Sequence, residues 1–364
     1  MKITRIESAV LLPQVRVEGW ALVTGAIARL PSVLLKVETD EGQVGIGFVG
    51  ALQPFDAPAG AIRECISFLG ERLIGRPVVV EQLIAEMARS LHGFAEVRAA
   101  FEAAFLEIAA ARAGTGIASL LGGALHRRLP VSRMVSLQSP DLMAKAAAAL
   151  AADDYRVVKF KLSGDADLDV ARAQAVRDAV GPAVSLTADA NGRYAPKAAI
   201  RAIERMSGSD VAIVEQPVPR HDLAGLKLVT QAVLPEIEAD ESAGSPHEIA
   251  RLGQERIVDS VVLRLPRLGG VGPIREAVSI CRSFGLKYRF GVCFLPGPFQ
   301  AYAAQVASTF PEVPLAHEIA EHVLLDGDPF EPPTISDGFI EVPELFRSSR
   351  LKPGCEIAWT TLAG

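Results

Sequence analysis

The sequence has few cysteines, no long apolar run and no obvious secretion signal. Its cysteines lie far apart and form no CxxC pair, which argues against a zinc knuckle or a disulfide framework. No uninterrupted apolar stretch reaches the roughly 18 residues that a membrane-spanning helix needs. The first residues interleave charges with short apolar runs, unlike a signal peptide. The four cysteines are Cys65, Cys281, Cys293 and Cys355.

The charge balance limits the classes of partner. The net charge is −6 and no basic cluster occurs, which argues against nucleic acid as a ligand. Without a membrane span or a signal peptide, we expect a cytoplasmic globular protein that binds neither membrane nor nucleic acid.

Three carboxylates follow one another at an almost constant spacing. Asp189, Glu215 and Asp240 each close an apolar run and each precede a helical stretch. The spacings of 26 and 25 residues fit one strand, one helix and two loops. The acids should therefore stand at the carboxyl ends of successive parallel strands and face one mouth. Three oxygen donors in that arrangement predict a magnesium site.

The same spacing continues on both sides of these acids. Further strand-like runs end at Lys161, Arg264, Cys293 and Glu318, and an earlier one surrounds Val135, which gives eight runs. The runs are short and almost continuously apolar, as expected for a parallel sheet buried on both faces. Apolar residues at three- and four-residue spacing predict helices between them. These helices are predicted at residues 140–152, 166–180, 196–207, 245–254 and 272–284.

This pattern predicts an α/β chain built from two modules. Residues 126–325 are expected to form a (β/α)8 TIM-type barrel, with catalytic residues at the strand ends. Residues 1–125 lack the repeat and are expected to form an N-terminal α+β capping domain of antiparallel strands and helices. Residues 326–364 look strand-like again and are expected to return to the cap. The length of 364 residues also favours two modules.

Five short motifs in this order resemble the enolase superfamily, specifically its muconate lactonizing enzyme and mandelate racemase branch. They are KFK at 159–161, DAN at 189–191, EQP at 215–217, ADES at 239–242 and GG at 269–270. The resemblance implies an enzyme that binds a substrate carboxylate to Mg²⁺ and removes the proton α to it, leaving an enediolate. A dication and nearby ammonium groups in a dry site would stabilise that intermediate.

The resemblance also implies roles for individual residues. Asp189, Glu215 and Asp240 would bind Mg²⁺, and Lys161 would be the acid/base. Lys159 would lower the pKa of Lys161 by like-charge repulsion and contact the substrate carboxylate.

Three more polar residues have implied supporting roles. Asn191 and Glu241 would orient the metal ligands. Glu318, at the end of the eighth run, would contact the substrate or the opposite lysine.

One departure from the family pattern bears on the reaction. Arg264 stands where the family usually has a lysine on the opposite face of the substrate, and arginine stays protonated in proteins. A racemase needs a base on each face, so the sequence favours one-face chemistry by Lys161, either syn β-elimination (dehydration) or cycloisomerisation. Arg264 would then assist electrostatically. A racemase or epimerase of an amino or hydroxy acid is the alternative, and a non-catalytic binding member of the family is another.

Other departures concern the substrate. Phe48 and Pro296 stand where relatives carry acids, and Trp20, Phe294 and Leu295 are expected near the mouth. We therefore expect a small carboxylate substrate with a partly apolar body. Packing of the cap on the barrel would equally explain these apolar residues. The family resemblance further implies a homo-oligomer, a dimer or an octamer.

Two further residues receive structural interpretations. Strand alternation points His317 away from the site, although it neighbours Glu318. Cys293 ends a strand and is interpreted as a small buried packing residue.

Overall fold

The computed structural model describes residues 1–345 and 347–364. None of the helices in this described part has the length and apolar composition needed to cross a bilayer. The N-terminal part contains strands β1 (Ile3–Leu11), β2 (Gln14–Val15), β3 (Ala21–Leu22), β4 (Gly25–Ala26), β5 (Ser32–Thr39) and β6 (Val44–Gly50). Helices α1 (Ala59–Leu73), α2 (Val80–Ser90), α3 (Ala95–Ala113) and α4 (Ile117–Leu120) follow.

Strands and helices alternate in the middle of the chain. The strands are β7 (Arg128–Pro130), β8 (Arg133–Val135), β9 (Val157–Lys161), β10 (Ser185–Asp189), β11 (Val211–Glu215), β12 (Glu236–Ala239), β13 (Ser260–Arg264) and β14 (Lys287–Gly291). The helices are α5 (Pro140–Ala152), α6 (Ala166–Val180), α7 (Pro196–Arg205), α8 (Leu223–Ala232), α9 (Pro246–Gln254), α10 (Leu265–Leu268), α11 (Val271–Phe284) and α12 (Gly297–Ala307). Strands β15 (Leu325–Asp326), β16 (Ile335–Ser336), β17 (Phe339–Glu341) and β18 (Thr360–Ala363) follow. Short 3-10 turns lie at Ser207–Ser209 and Glu321–Leu324.

Local sequence signals explain several helix starts. Helix α9 follows Ser245, whose Oγ accepts the N–H of Glu248 at 3.2 Å, and Pro246 fills the first helical position. Helix α6 follows Asp165, which accepts the N–H groups of Asp167 and Leu168. Helices α5 and α6 occupy the predicted residues, and α8 is the helical stretch that was expected after Glu215 without stated bounds.

The first module is an antiparallel sheet in the order β18-β1-β5-β6, with α1 to α3 packed on it; we call this module the cap. Helix α3 lies so close to β6 that two positions of the strand have room only for glycine. A Cβ at Gly47 would lie 2.0 Å from the carbonyl oxygen of Ala100, and one at Gly45 would lie 2.1 Å from that of Ala104. Strand β18 pairs with β1 and so belongs to this sheet, whereas β16 pairs with β17 and β17 with β7.

The second module is a parallel sheet in the order β14-β13-β12-β11-β10-β9-β8. Its strands are almost wholly buried, which agrees with the continuously apolar runs of the sequence. The predicted eighth strand is reduced to two isolated bridges. His317 bridges Val131 and Glu318 bridges Gly291, so this segment touches both edges of the sheet. Prolines 311 and 314 precede it and lack the N–H groups that a longer ladder needs.

A buried glutamate joins the cap to the second module. Glu102 in α3 accepts the N–H of Val271, at the start of α11, at 2.7 Å. The hydroxyl of Tyr302 in α12 also donates to it, at 3.4 Å. A Cβ at Gly270 would lie 2.1 Å from Oε2 of Glu102, so the second glycine of the GG pair makes room for this carboxylate. Burial raises the pKa of Glu102 to about 7.

We predict that Glu102 makes the protein less stable as the pH rises. The folded state keeps its proton up to about pH 7, whereas an unfolded glutamate loses it near pH ~4.3. The wild type should therefore lose stability between about pH 4 and pH 7 relative to Glu102→Gln, which cannot ionise. At pH 8 the variant should gain up to about 3 kcal/mol over the wild type, compared with pH 4.

Urea unfolding of both proteins at several pH values measures this difference. Glu102→Ala serves as the control, because it leaves the N–H of Val271 unpaired and should destabilise the fold at every pH. Parallel pH curves for the wild type and Glu102→Gln would contradict the prediction.

Candidate active site

A cavity of about 440 Å³ opens at the carboxyl ends of the parallel strands. Lys161, Asn191, Asp240 and Arg264 are among its polar walls, and Phe294 and Leu295 are among its apolar ones. Leu22, Leu30 and Leu52 from the cap segment complete the apolar side. One side of the cavity is therefore charged and the other side is apolar.

The three acids predicted to bind a metal stand where the sequence spacing places them. Asp189 and Glu215 end β10 and β11, and they are direct partners across the ladder. Asp240 immediately follows β12. All three are buried. Parallel pairing therefore brings the acids together at the carboxyl ends of the strands, as expected.

Lys159 lines the cavity and binds three carboxylates. Its Nζ lies 2.5 Å from Oε2 of Glu215, 2.7 Å from Oε1 of Glu318 and 3.0 Å from Oδ2 of Asp189. Burial opposes its charge, but these carboxylates raise the pKa of Lys159 well above its usual range. Lys159 is therefore a fixed positive charge at this place.

Lys161 lines the same cavity as Lys159. Its Nζ donates to Oδ2 of Asp189 at 2.6 Å and to Oδ1 of Asn191 at 2.8 Å. Asn191 in turn donates from Nδ2 to Oε1 of Glu241 at 3.0 Å. The residues predicted to orient the ligands thus form a chain of hydrogen bonds that ends on Lys161.

Arg264 is held by acids on two sides. It binds both carboxylate oxygens of Asp240, at 3.1 Å from Nε and 2.7 Å from Nη2, and its Nη1 lies 2.9 Å from Oε2 of Glu318. Burial opposes the charge, but Asp240 and Glu318 keep the pKa of Arg264 well above its usual range. Gly291 makes room for it, because a Cβ there would lie 2.5 Å from Nη1. Arg264 is a permanent cation and not a base.

Glu318 lies between the two cations. It contacts Lys159 and Arg264, and Nη1 of Arg289 lies 3.9 Å from its Oε1. Burial would raise the pKa of Glu318, but Lys159, Arg264 and Arg289 together lower it to about 2. The carboxylate is therefore ionised and engaged, with both oxygens in ion pairs.

The acids fit a divalent cation by their chemistry. Within residues 1–345 and 347–364, no three acidic, histidine or cysteine side chains form a ready-made metal cluster, because Lys159 and Arg264 lie between the carboxylates. Oε1 of Glu215 is buried without a hydrogen-bond partner among these residues. Burial and the nearby charge of Asp189 raise the pKa of Glu215 well above its usual range. Carboxylates crowded in this way are suitable ligands for a hard dication such as Mg²⁺.

The predicted apolar residues divide between the wall and the interior. Phe294 and Leu295 line the cavity. Trp20 is 2% exposed and packs edge-on behind Phe294 at 5.0 Å, so it supports the wall from outside. Phe48 is buried against Phe299 and Phe330.

Sequence analysis assigned no role to Gln216, although it follows Glu215 in the EQP motif. Its Oε1 accepts the N–H groups of Asp240 and Ser242, both at 3.1 Å, and its Nε2 donates to Oγ of Ser242 and the carbonyl of Val218, both at 2.9 Å. Gln216 therefore fixes the loop that carries Asp240. Its place inside the motif was the available signal.

Arg267 was also missed. Its Nη1 donates to the carbonyl oxygen of Asp240 at 2.9 Å and to Oδ1 at 2.7 Å. A second arginine three residues after Arg264 was the only signal in the sequence.

The two residues that received structural interpretations differ in outcome. His317 is buried, its Nδ1 accepts the N–H of Phe290 at 3.2 Å, and burial lowers its pKa to about 3. It points away from the cavity, as expected. The interpretation of Cys293 as a buried packing residue is wrong, because its side chain is exposed at the cavity wall. Its backbone has a φ of 57°, which ends the run of β14.

Two family models match the chain. Residues 5–122 match the model described as the N-terminal domain of mandelate racemase / muconate lactonizing enzyme. Residues 141–348 match the model described as enolase C-terminal domain-like.

Several characterised proteins are similar over most of the chain. A hydrophobic dipeptide epimerase of Enterococcus faecalis is 31% identical over 278 residues, which cover 75% of this chain and 78% of that protein. An L-Ala-D/L-Glu epimerase of Bacillus subtilis is 32% identical over 302 residues, which cover 80% and 81%. The crystal structure of the Enterococcus faecalis dipeptide epimerase with Mg and L-Leu-L-Tyr has a TM-score of 0.88 and 26% identity, covering 95% of this chain and 98% of that chain. Dehydratases and cycloisomerases are also among the relatives.

We predict that Gln216→Ala destabilises the protein strongly. The substitution leaves the buried N–H groups of Asp240 and Ser242 without acceptors, and each unpaired group costs on the order of 1–3 kcal/mol. The free energy of unfolding should fall by about 3 kcal/mol, measured by urea denaturation. Gln254→Ala, at the exposed end of α9, is the matched control and should change little. Equal losses in both variants would show that the Gln216 contacts contribute little.

Proposed function

Because the chain belongs to the mandelate racemase and muconate lactonizing enzyme family of the enolase superfamily, we propose that it is a magnesium-dependent epimerase or racemase of an amino-acid-type carboxylate. The family resemblance seen in the five motifs is confirmed by the two family models. The chain is accordingly an enzyme of a superfamily of magnesium-dependent lyases and isomerases, as predicted.

The comparisons support the alternative of the sequence analysis better than its favoured interpretation. That analysis favoured one-face elimination or cycloisomerisation and kept epimerisation as the alternative. A hydrophobic dipeptide epimerase and an L-Ala-D/L-Glu epimerase are relatives of this chain, at 31% and 32% identity. A substrate that carries an amino acid or a dipeptide with apolar side chains also suits the apolar wall formed by Phe294, Leu295 and Leu22.

The observation that carries the proposal is the position of Lys161. It is a lysine at the cavity wall, fixed by Asp189 and Asn191, and close to the carboxylates expected to hold the metal. When bound, Mg²⁺ would supply positive charge to the substrate carboxylate and so make the proton α to it more acidic. Asp189, Glu215 and Asp240 would hold the ion.

The protein's own groups would then perform the proton transfer. Lys161 takes the proton from the α-carbon, and the C–H electron pair passes into the carboxylate to give the enediolate. Lys159 adds a second positive charge nearby, which stabilises the negative charge that develops on the substrate. Asn191 and Glu241 hold Lys161 in place. The apolar wall keeps water away from the reacting carbon.

One observation favours the one-face reaction as a second candidate. Arg264 occupies the place of the opposite lysine and is bound on two sides by Asp240 and Glu318. If no other group donates a proton on that side, Lys161 alone would catalyse elimination or cycloisomerisation. The stereochemistry of the product separates the two candidates.

We further propose the finer points of architecture that the sequence suggested. The parallel sheet and the His317–Glu318 segment would form a (β/α)8 barrel over residues 126–325, with 1–125 and 326–364 as the cap and its completing segment. The bridges of this segment to both sheet edges support closure. A cytoplasmic location and a homo-oligomeric state, dimer or octamer, remain predictions.

Magnesium binding tests the metal assignment. We predict that Glu215→Gln, which removes a charged oxygen donor without changing the shape of the side chain, weakens Mg²⁺ binding at least about tenfold. Titration calorimetry of the metal-free protein with magnesium chloride measures the affinity. Glu236→Gln, at the other end of β12, is the matched control and should bind as the wild type does. Unchanged affinity in Glu215→Gln would overturn the assignment.

Proton exchange tests the base. We predict that the wild type, with Mg²⁺ in deuterium oxide, exchanges the α-proton of dipeptides or N-acyl amino acids with apolar side chains, and that Lys161→Ala slows this by about 10³-fold or more. Proton NMR of a pooled library follows the loss of the α-proton signal. Lys145→Ala, an exposed lysine of α5, should exchange normally. Equal exchange by Lys161→Ala would rule out Lys161 as the base.

The products of the same incubation separate the candidate reactions. Inverted stereochemistry supports epimerisation, whereas a dehydrated or cyclised product supports the one-face reaction.

A further inference from the structure

Epimerisation requires a proton donor on the face of the substrate that Lys161 does not reach. The following inference rests on the proposed function, because it supplies that missing group. Arg264 cannot serve, since Asp240 and Glu318 hold it as a cation. We propose that Cys293 is the acid that delivers a proton to the α-carbon on the face opposite Lys161.

The position of Cys293 on the cavity wall supports this role. Lys161 ends β9, next to Asp189 and Asn191, near one edge of the parallel sheet. Cys293 follows β14, the strand at the other edge, and its side chain is open to the same cavity. Several strands separate β9 from β14 in this sheet, so a substrate bound between them in the cavity would present one face to each residue.

The backbone around Cys293 is fixed. The buried Gln300 donates from Nε2 to the carbonyl oxygens of Cys293 and Leu295, both at 3.0 Å. Gln300 is inaccessible to solvent and belongs to α12, so it ties the loop after β14 to a helix. The thiol therefore keeps its place on the wall, as a proton donor must.

The chemistry of the thiol suits a donor. Desolvation by the cavity walls raises the pKa of the Cys293 thiol, and the charges of Asp240 and Asp56 act in the same direction, so the group keeps its proton before the transfer. Arg264 and Arg267 act in the opposite direction and stabilise the thiolate that remains afterwards. The arginine that replaces the expected lysine thus has a supporting role beside the thiol.

Two acids at the cavity wall have partners within the protein. Both oxygens of Glu318 are in ion pairs with Lys159 and Arg264, so this carboxylate has no free oxygen for the substrate. Glu321 accepts the N–H of Met134 at 3.1 Å through Oε1, and its Oε2 lies 3.5 Å from Nε of Arg133.

The proton transfer is balanced. The α C–H bond breaks and its proton forms an N–H bond on the neutral amine of Lys161. The S–H bond of Cys293 breaks and its proton forms the new C–H bond on the other face, leaving a thiolate. The ammonium of Lys161 then loses a proton to water, and the thiolate gains one from water. In the reverse direction the thiolate removes the proton and the ammonium of Lys161 returns one.

Stereochemistry in deuterium oxide tests the role of Cys293. The full-length protein with Mg²⁺ is incubated separately with each epimer of a substrate found in the exchange screen. We expect Cys293→Ala and Cys293→Ser to exchange the epimer whose α-proton faces Lys161, while inversion falls about 100-fold or more. Exchange of the other epimer should be lost as well. Cys65→Ser, in α1 of the cap, is the matched control and should invert normally.

A second readout does not depend on turnover. Iodoacetamide labelling followed by mass spectrometry should modify Cys293 in the wild type more slowly when the substrate is present, with no such change at Cys355. Normal inversion by Cys293→Ala would overturn the role of Cys293, as would labelling that the substrate does not slow. A wild type that exchanges α-protons without inverting any substrate would instead overturn the proposed epimerisation.

Discussion

The site depends on a surplus of buried negative charge at the carboxyl ends of the parallel strands. Asp189, Glu215 and Asp240 would repel one another strongly in a medium of low dielectric constant, so cations must lie between them. Lys159 and Arg264 supply that charge within the protein, and each contacts more than one acid. Lys161 lines the same cavity, where its Nζ donates to Asp189 and Asn191. The two lysines therefore differ in their partners, because Lys159 contacts three carboxylates, whereas Lys161 donates to one carboxylate and one amide.

Sequence reasoning located the residues that follow from a repeat. The spacing of Asp189, Glu215 and Asp240 correctly placed them at the carboxyl ends of successive strands. Parallel strands all end on the same side of the sheet, so residues that end them lie close together. The same spacing found Lys161 and Arg264, whereas Lys159 came from the KFK motif of the family resemblance. It also gave the boundaries of α5 and α6, whose apolar spacing is regular. Patterns with a fixed period survive tertiary packing, so they are predictable.

Other features depend on contacts that do not show up as a regular spacing of residues in the sequence. The predicted eighth strand is limited to two bridges, because Pro311 and Pro314 precede it and cannot donate N–H groups to a longer ladder. Gln216 holds the Asp240 loop through its side chain, and nothing in its spacing says so. Cys293 was interpreted as packing, but a backbone in the left-handed region redirects its side chain to the cavity wall. Likewise, Trp20 approaches the site only through Phe294. In each case, the loop conformation after a strand determines the role, and loop conformation is set by distant partners such as Gln300.

The pairing of β18 with β1 has a consequence for how the protein is made. These two strands are neighbours in the cap sheet but lie at opposite ends of the described chain. During synthesis, β1 therefore emerges with an unpaired edge and waits until the entire parallel sheet has been translated before its partner appears. An open edge of this kind is prone to pair with other nascent chains. We therefore expect that truncation before residue 360, which removes β18, leaves this edge open and favours aggregation even when the parallel sheet is complete.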